Sequence, residues 1–348
     1  MNIKQSTLAA AVTAALALGA SQQAAAYVYA VSSLNIQDLA ITHGGNLTFT
    51  GASFNFNLTN TAALNGVLTG TTATCTGSVG GTNTCGPAGL RLDALAANAT
   101  GSAPVMRTNN DPQANNLMVY GSTPANLVGN WSNSDNVLYT AELLGDGTTS
   151  TNQIAESLLT GNGSASANSE IKSTTGLTYI FTVIGSGNGT LALSFRADPD
   201  MFAAIFGEPA GLYGAGANMN TSFTLNKDGG GGFANWNPQG TAANDCLAAG
   251  ITCVEGRADA LNPDGEDLNI NVGTTTNNTS DPHSYAPGVL GLSTFGIQLG
   301  GLTAGTWTLT LNAVASTLVT RVPEPGMLAL MGIGLLGLGM SARRKKLV

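Results

Sequence analysis

The amino-acid sequence predicts an all-β protein: a β-sandwich or jelly-roll-like body with long Gly/Asn/Thr-rich loops, flanked by one apolar segment at each end. Only 9% of the residues are charged, against about 25% in an average globular protein. The water-facing surface must therefore consist of neutral hydroxyl and amide side chains, which suit strands and turns because they compete with helical backbone hydrogen bonds. Hydrophobic residues make up 43% of the chain, which is enough to bury a core.

Alternation of apolar and polar residues predicts several strands, and glycine-rich turns separate them, as is typical of sandwich folds. The segments are 27–41, 47–58 with a bend near Gly51, 179–184, 191–195, 223–225, 268–272 and 306–313. The clearest is 306–313, in which Trp307, Leu309, Leu311 and Ala313 should face the core. Segments 179–184 and 191–195 flank a glycine-rich turn and are expected to form a hairpin.

Helical signals are few. Residues 200–206 follow Pro199, and residues 152–159 have Asn152 as a candidate N-cap. Long loops are expected over 98–136, 145–170 and 226–265. A body of about 295 residues is long for one sandwich; we favour one domain with decorated loops, with two smaller domains as the alternative.

The first 26 residues have the pattern of a secretory signal peptide. Lys4 precedes an apolar run over 8–20, and Ala24, Ala25 and Ala26 supply small residues for a cleavage site after Ala26. This segment is the predicted N-terminal signal helix. The body that follows, residues 27–321, is acidic: residues 27–322 hold 7 Lys/Arg and 19 Asp/Glu, a net charge of −12. That balance argues against a nucleic-acid partner.

The four cysteines form two close pairs, Cys75 with Cys85 and Cys246 with Cys253. Four cysteines allow three connectivities, and local pairing is favoured because each pair closes a short loop. A zinc site is the alternative, but neither spacing is Cys-x-x-Cys and no histidine lies near either pair. Disulfides fit an exported protein.

The last 27 residues, 322–348, have three parts in order. A stiff segment contains Val322, Pro323, Glu324 and Pro325, an apolar run covers 327–340, and a basic cluster closes the chain. The cluster consists of Arg343, Arg344, Lys345 and Lys346. The apolar run is at the short edge of a membrane span, and the basic residues after it should stay cytoplasmic, so the body would be held outside the inner membrane by a single hydrophobic helix.

This tripartite tail resembles the PEP-CTERM sorting signal, the mark of exosortase substrates. The resemblance rests on Pro323-Glu324-Pro325, the apolar run and the basic cluster, about a twelfth of the chain. It implies an exosortase-type membrane enzyme as partner, transient residence in the inner membrane, loss of the tail, and delivery to the cell surface or medium of a bacterium that makes extracellular polysaccharide. The protein would be the substrate of that enzyme.

Catalytic signals are weak. The chain has two histidines, and no Gly-x-Ser-x-Gly motif is present. We therefore expect no enzymatic activity and no cofactor. The acidic turn containing Asp264, Glu266 and Asp267 is a weak calcium candidate, since its spacing departs from an EF-hand; a solvated turn is the simpler interpretation.

Two indoles are candidate sugar contacts. Trp236 and Trp131 each stand beside asparagines, and an aromatic face next to amides can stack on a sugar ring while binding its hydroxyls. The alternative is that both rings fill the core. Three functions follow: a surface or biofilm-matrix structural protein associated with exopolysaccharide, a carbohydrate-binding module, or a secreted glycan hydrolase. The hydrolase would use carboxylates of the acidic cluster formed by Asp259, Asp264, Glu266 and Asp267.

Overall fold

The computed structural model describes residues 26–45, 53–78, 84–85, 89–97, 129–140, 149–171, 179–184, 188–207, 211–239, 245–255, 267–283 and 292–323. These residues form seventeen strands. In chain order the strands are β1 (Tyr27–Gly45), β2 (Ser53–Leu64), β3 (Val67–Ser78), β4 (Leu90–Ala97), β5 (Asn130–Thr140), β6 (Thr149–Leu159), β7 (Gly163–Ile171), β8 (Tyr179–Val183), β9 (Gly189–Phe206), β10 (Gly211–Lys227), β11 (Phe233–Trp236), β12 (Cys246–Ala249), β13 (Thr252–Glu255), β14 (Asn271–Thr274), β15 (Thr279–His283), β16 (Ser293–Leu302) and β17 (Gly305–Pro323).

The strands form two antiparallel sheets. Sheet A has the order β13-β16-β9-β1-β6-β5-β4, with β15 paired to β9; sheet B has the order β12-β11-β10-β17-β7-β2-β3, with β14 paired to β10 and β8 paired to β17 and β2. The prediction of an all-β fold is confirmed, and the residues described contain no helix. The finer jelly-roll assignment remains a prediction.

The main core lies between the two sheets, and in β2 and β17 it follows from strict alternation along the strand. In β2 every second residue from Phe54 to Leu64 is buried, and the residues between them are half-buried Asn, Thr and Ala. In β17 the predicted inward set of Trp307, Leu309, Leu311 and Ala313 is confirmed, since none of the four is more than 2% exposed. Period-two alternation places one face of each strand against the opposite sheet.

Near the middle of the sandwich the two sheets approach closely through small polar side chains. Ser32 in β1 donates a hydrogen bond to the carbonyl of Asn218 in β10, over 3.0 Å. The hydroxyls of Ser157 in β6 and Thr317 in β17 lie 2.8 Å apart. Hydrogen bonds of this kind offset the cost of burying hydroxyls, so serine and threonine can replace apolar residues here.

Both predicted helices are wrong. Residues 200–206 belong to β9 and residues 152–159 to β6, and each of these strands pairs with an edge of β1. The candidate N-cap Asn152 lies opposite Asn35 of β1 instead. Pairing with a long neighbouring strand overrides weak local helix signals in such short segments.

The predicted hairpin and parts of the predicted loops are also wrong. Strand β8 pairs with β17 and β2 in sheet B, whereas β9 pairs with β1, β15 and β16 in sheet A, so the Gly-rich segment between β8 and β9 links the two sheets. The loops expected over 98–136, 145–170 and 226–265 contain strand residues, from β5, β6, β7, β11, β12 and β13. The candidate signal peptide lies almost wholly outside the described residues.

The two predicted disulfides are present, and they connect different parts of the fold. Cys75 in β3 bonds Cys85, which follows the same strand. Cys246 lies in β12 at one edge of sheet B and Cys253 in β13 at one edge of sheet A, so the second bridge joins the two sheets.

Removing either bridge should destabilise the fold to a similar, moderate degree. The sequence separations are 10 and 7 residues, for which the chain-entropy model gives about 2–3 kcal/mol per bridge. Urea unfolding of Cys75→Ser/Cys85→Ser and of Cys246→Ser/Cys253→Ser should show this loss, each double variant serving as the other's control. Unchanged unfolding midpoints would contradict the prediction that the disulfides stabilise the fold.

Candidate functional site

The C-terminal strand carries the folded body up to the first residue of the predicted sorting motif. Strand β17 lies between β10 and β7, and its last pair places Pro323 opposite Gly211 of β10. Proline has no N–H to donate to a ladder, so it is suited to a strand's last position. Glu324, Pro325 and the basic cluster lie outside the described residues.

Both termini of the body lie at this same end of the sandwich, which we call the exit end. Tyr27, the first residue of β1, pairs with Phe206, the last residue of β9. The chain then passes from β9 to Gly211, the first residue of β10, opposite Pro323. The first and last strands of the body, at Tyr27 and Pro323, therefore leave the fold at the same end.

Apolar side chains are exposed beside the exit. Leu212 of β10 is 75% exposed and lies opposite Val322 of β17, which is 49% exposed. Leu318, four residues before Val322 in the same strand, is 58% exposed. We call Leu212, Leu318 and Val322 the exit patch. Gly214, Gly216 and Gly273 line a shallow open depression next to Leu318.

Neither candidate sugar-binding indole presents a face to solvent. Trp236 of β11 is 0% exposed, its ring stacks on Phe223 with centroids 5.0 Å apart, and its Nε1 donates to Glu255 Oε1 over 3.0 Å. Trp131 lies in β5 rather than a loop, is 4% exposed, and packs in an apolar cluster with Tyr29 and Phe202. The structure therefore buries Trp236 between the two sheets and Trp131 on the outer face of sheet A.

A polar group is buried on the outer face of sheet A around Trp131. The Tyr29 hydroxyl donates to the Glu156 carboxylate, and Asn133 lies opposite Glu156 in the neighbouring strand. Asn133 is 1% exposed, and among the described contacts neither of its amide atoms nor Trp131 Nε1 has a hydrogen-bond partner. On the same face, burial raises the pKa of the Asp198 carboxyl.

The calcium candidate is only partly described. Asp264 and Glu266 lie outside the described residues, while Asp267 Oδ1 accepts a hydrogen bond from the Asn269 backbone over 2.7 Å. Within the described ranges no three His, Cys, Asp or Glu residues are grouped so as to hold a metal ion. The same ranges contain no helix long and apolar enough to cross a membrane.

The sequence interpretation missed the exit patch, although the part of it in β17 has a sequence signal. Along β17 the outward positions are Thr306, Thr308, Thr310, Asn312, Val314, Ser316, Leu318, Thr320 and Val322. An exposed leucine in this largely polar series is a visible exception. Leu212 has no such signal, because only the pairing of β10 with β17 brings it next to Val322.

Comparison with known families identifies the tail. The model of the PEP-CTERM protein-sorting motif matches residues 321–345, which confirms the predicted resemblance and is consistent with an exosortase substrate. The match begins inside β17, two residues before its end. No curated protein and no solved structure matches the chain.

Proposed function

We propose that this chain is a non-enzymatic structural protein of the bacterial surface or extracellular matrix, delivered there by an exosortase-type enzyme that removes its tail. The sorting motif implies export, a membrane-anchored precursor and processing by that enzyme. Association with extracellular polysaccharide is the further part of this proposal.

The observation that carries the proposal is the direct junction of fold and motif. The motif match starts at Arg321 and the last strand ends at Pro323, so the folded body reaches into the motif with no spacer. Removal of the chain after the motif would leave β17 whole. The body is thus built to persist as a folded unit once the tail is lost.

The surface of the body supports a structural, matrix-associated role. Few side chains are charged, and the outward positions of β2 and β17 are dominated by Ser, Thr and Asn. Hydroxyl and amide groups donate and accept hydrogen bonds without charge, as the hydroxyls of a polysaccharide do. A surface of this kind suits many weak contacts with a hydrated glycan matrix.

Replacing Pro323, Glu324 and Pro325 with alanine should abolish processing. The motif supplies the stiff segment that the enzyme binds, and alanines would remove both the fixed backbone and the acidic side chain. Intact mass from the native host should show a wild-type species that begins at Tyr27, lacks residues 343–348 and lies outside the inner membrane. The variant should keep its tail and remain in the inner-membrane fraction.

The matched control is Leu247→Ser, which alters a side chain that is 70% exposed in β12. This variant should be processed like the wild type. A wild-type chain that keeps residues 343–348 in the inner membrane would overturn the proposal, because the tail would then be only an anchor. Added mass on the processed wild type would identify the matrix component to which the body is joined.

A further inference from the structure

The exposed apolar side chains of the body are unevenly distributed. The described residues include eight large apolar side chains that are strongly exposed. Five of them belong to the exit end of sheet B: Val67, Leu68, Leu212, Leu318 and Val322. Ile184, Leu247 and Val254 make up the rest and lie towards the opposite end. Scattered surface leucines are ordinary, whereas grouping at one end marks a site of contact.

The register places the leucines of this group on one face. Leu318 of β17 lies opposite Ser166 of β7, Ser166 lies opposite Ala63 of β2, and Ala63 lies opposite Leu68 of β3. On its other side Leu318 lies opposite Gly216 of β10. Every residue between the leucines in these pairings is small, so none of the described neighbours covers them. The outer face of sheet B is therefore an open, mostly neutral surface at the exit end.

Because the motif begins at the end of β17, a protein that binds the motif must also contact the exit end of sheet B. Pro323 emerges from a central strand, with β10 on one side and β7 on the other. Neighbouring strands lie about 4.8 Å apart. An enzyme that holds Pro323 and the two residues after it must therefore also lie against the ends of these strands, where Leu212 and Val322 are exposed.

We propose that the exit patch is a docking surface for the sorting enzyme, used in addition to the motif itself. This inference rests on the proposed function. The enzyme would bury Leu212 and Leu318 while it binds the segment after Pro323. Leu212 and Leu318 lie outside the matched motif, so the surface would let the enzyme distinguish this folded body from an unfolded chain with the same tail.

The geometry favours the enzyme over the lipid surface as the occupant. Leu318 is four residues from Val322 along β17, a distance of about 13 Å away from the exit. A bilayer next to the exit end would contact Leu212 and Val322 but would not reach Leu318. Covering Leu318 as well requires a protein that extends from the membrane surface along the outer face of sheet B. The net charge of −12 on residues 27–322 also opposes close approach to anionic lipid.

The test is the rate of tail removal from the full-length precursor in its native host. Leu212→Ser/Leu318→Ser should slow processing at least about fivefold, since losing two buried apolar contacts costs more than about 1 kcal/mol. The matched control is Leu247→Ser/Val254→Ser, whose side chains are 70% and 58% exposed towards the opposite end. The control should be processed at the wild-type rate. Urea unfolding of both tail-less bodies should match the wild type, which excludes misfolding as the cause.

Other outcomes would overturn the inference. Equal processing of the two double variants would show that the enzyme does not use the patch. Unchanged processing with reduced binding of the tail-less body to phosphatidylethanolamine–phosphatidylglycerol vesicles would assign the patch to lipid. If the wild-type body is a dimer in solution and the patch variant is a monomer that is processed normally, the exit patch is instead an interface with a second copy of the chain. Normal processing of the alanine motif variant would instead overturn the proposed function.

Discussion

Replacing Trp236 with alanine should lower the free energy of unfolding by about 3–5 kcal/mol, the usual cost of removing a large buried aromatic ring. The ring is 0% exposed and contacts Phe223 and Phe195, with centroids 5.0 and 5.8 Å away. Its loss would open a cavity between the sheets and remove the indole N–H from Glu255. Urea or thermal unfolding of the tail-less body measures the effect.

Two further variants sharpen this result. Trp236→Phe should lose less than the alanine variant, because it keeps most of the ring volume and loses mainly the hydrogen bond to Glu255. Leu247→Ser in the paired strand β12 should change stability by no more than about 0.5 kcal/mol, since its side chain is exposed. A stable alanine variant that loses retention on a glycan would restore the sugar-contact interpretation of Trp236.

The parts of the fold that sequence could predict are those in which one physical signal dominates. β17 alternates apolar and neutral polar residues without interruption over 306–313, and the structure follows that pattern. The turn between β2 and β3 has an equally clear sequence signal. Asn65 and Gly66 form it with φ angles of 51° and 81°, and Asn-Gly is the preferred pair for a two-residue hairpin turn.

Strands β5 and β6 could not be predicted because their polar residues are buried. β5 contains Asn, Ser and Asp at positions that alternation assigns to solvent or loops, yet residues 130–138 are all buried. Several of these side chains have partners in distant parts of the chain: Ser132 donates to the Ala63 carbonyl over 3.0 Å, and Asn136 donates to Asn60 Oδ1 over 2.9 Å. Such bonds satisfy buried polar groups but leave no local pattern.

The candidate site likewise has one part that the sequence predicts and one part that it does not. The tail is contiguous in sequence, and its three parts were sufficient to predict the sorting motif. The exit patch joins residues from β10 and β17 that are over one hundred positions apart, so it exists only after the strands pair. The indoles of Trp131 and Trp236 have polar neighbours in sequence, which gives no sign that Trp236 is buried between the sheets or that Trp131 is buried on the outer face of sheet A.

Strand β17 should be indispensable for folding, while everything after it should be dispensable. It pairs with β10 from Trp307 opposite Lys227 to Pro323 opposite Gly211, and it also pairs with β7 and β8. A chain of residues 27–304 would lose the centre of sheet B and expose the buried partners of Trp307 and Leu311. We expect it to aggregate or remain unfolded, whereas a chain of residues 27–323 should fold cooperatively with full stability.

Circular dichroism and urea unfolding of the two truncated chains, expressed for export so that both disulfides form, measure this difference. Intermediate chains would show how close to the fold the enzyme can cut. Ending at Val319 removes only the pairs of Thr320–Pro323 at the exit end, so we expect a folded body with reduced stability. A stable, native-like 27–304 chain would contradict the central position of β17. If only chains that reach Val322 or beyond keep full stability, the bond that is cut must lie after that residue, since the released body has to survive without its membrane anchor.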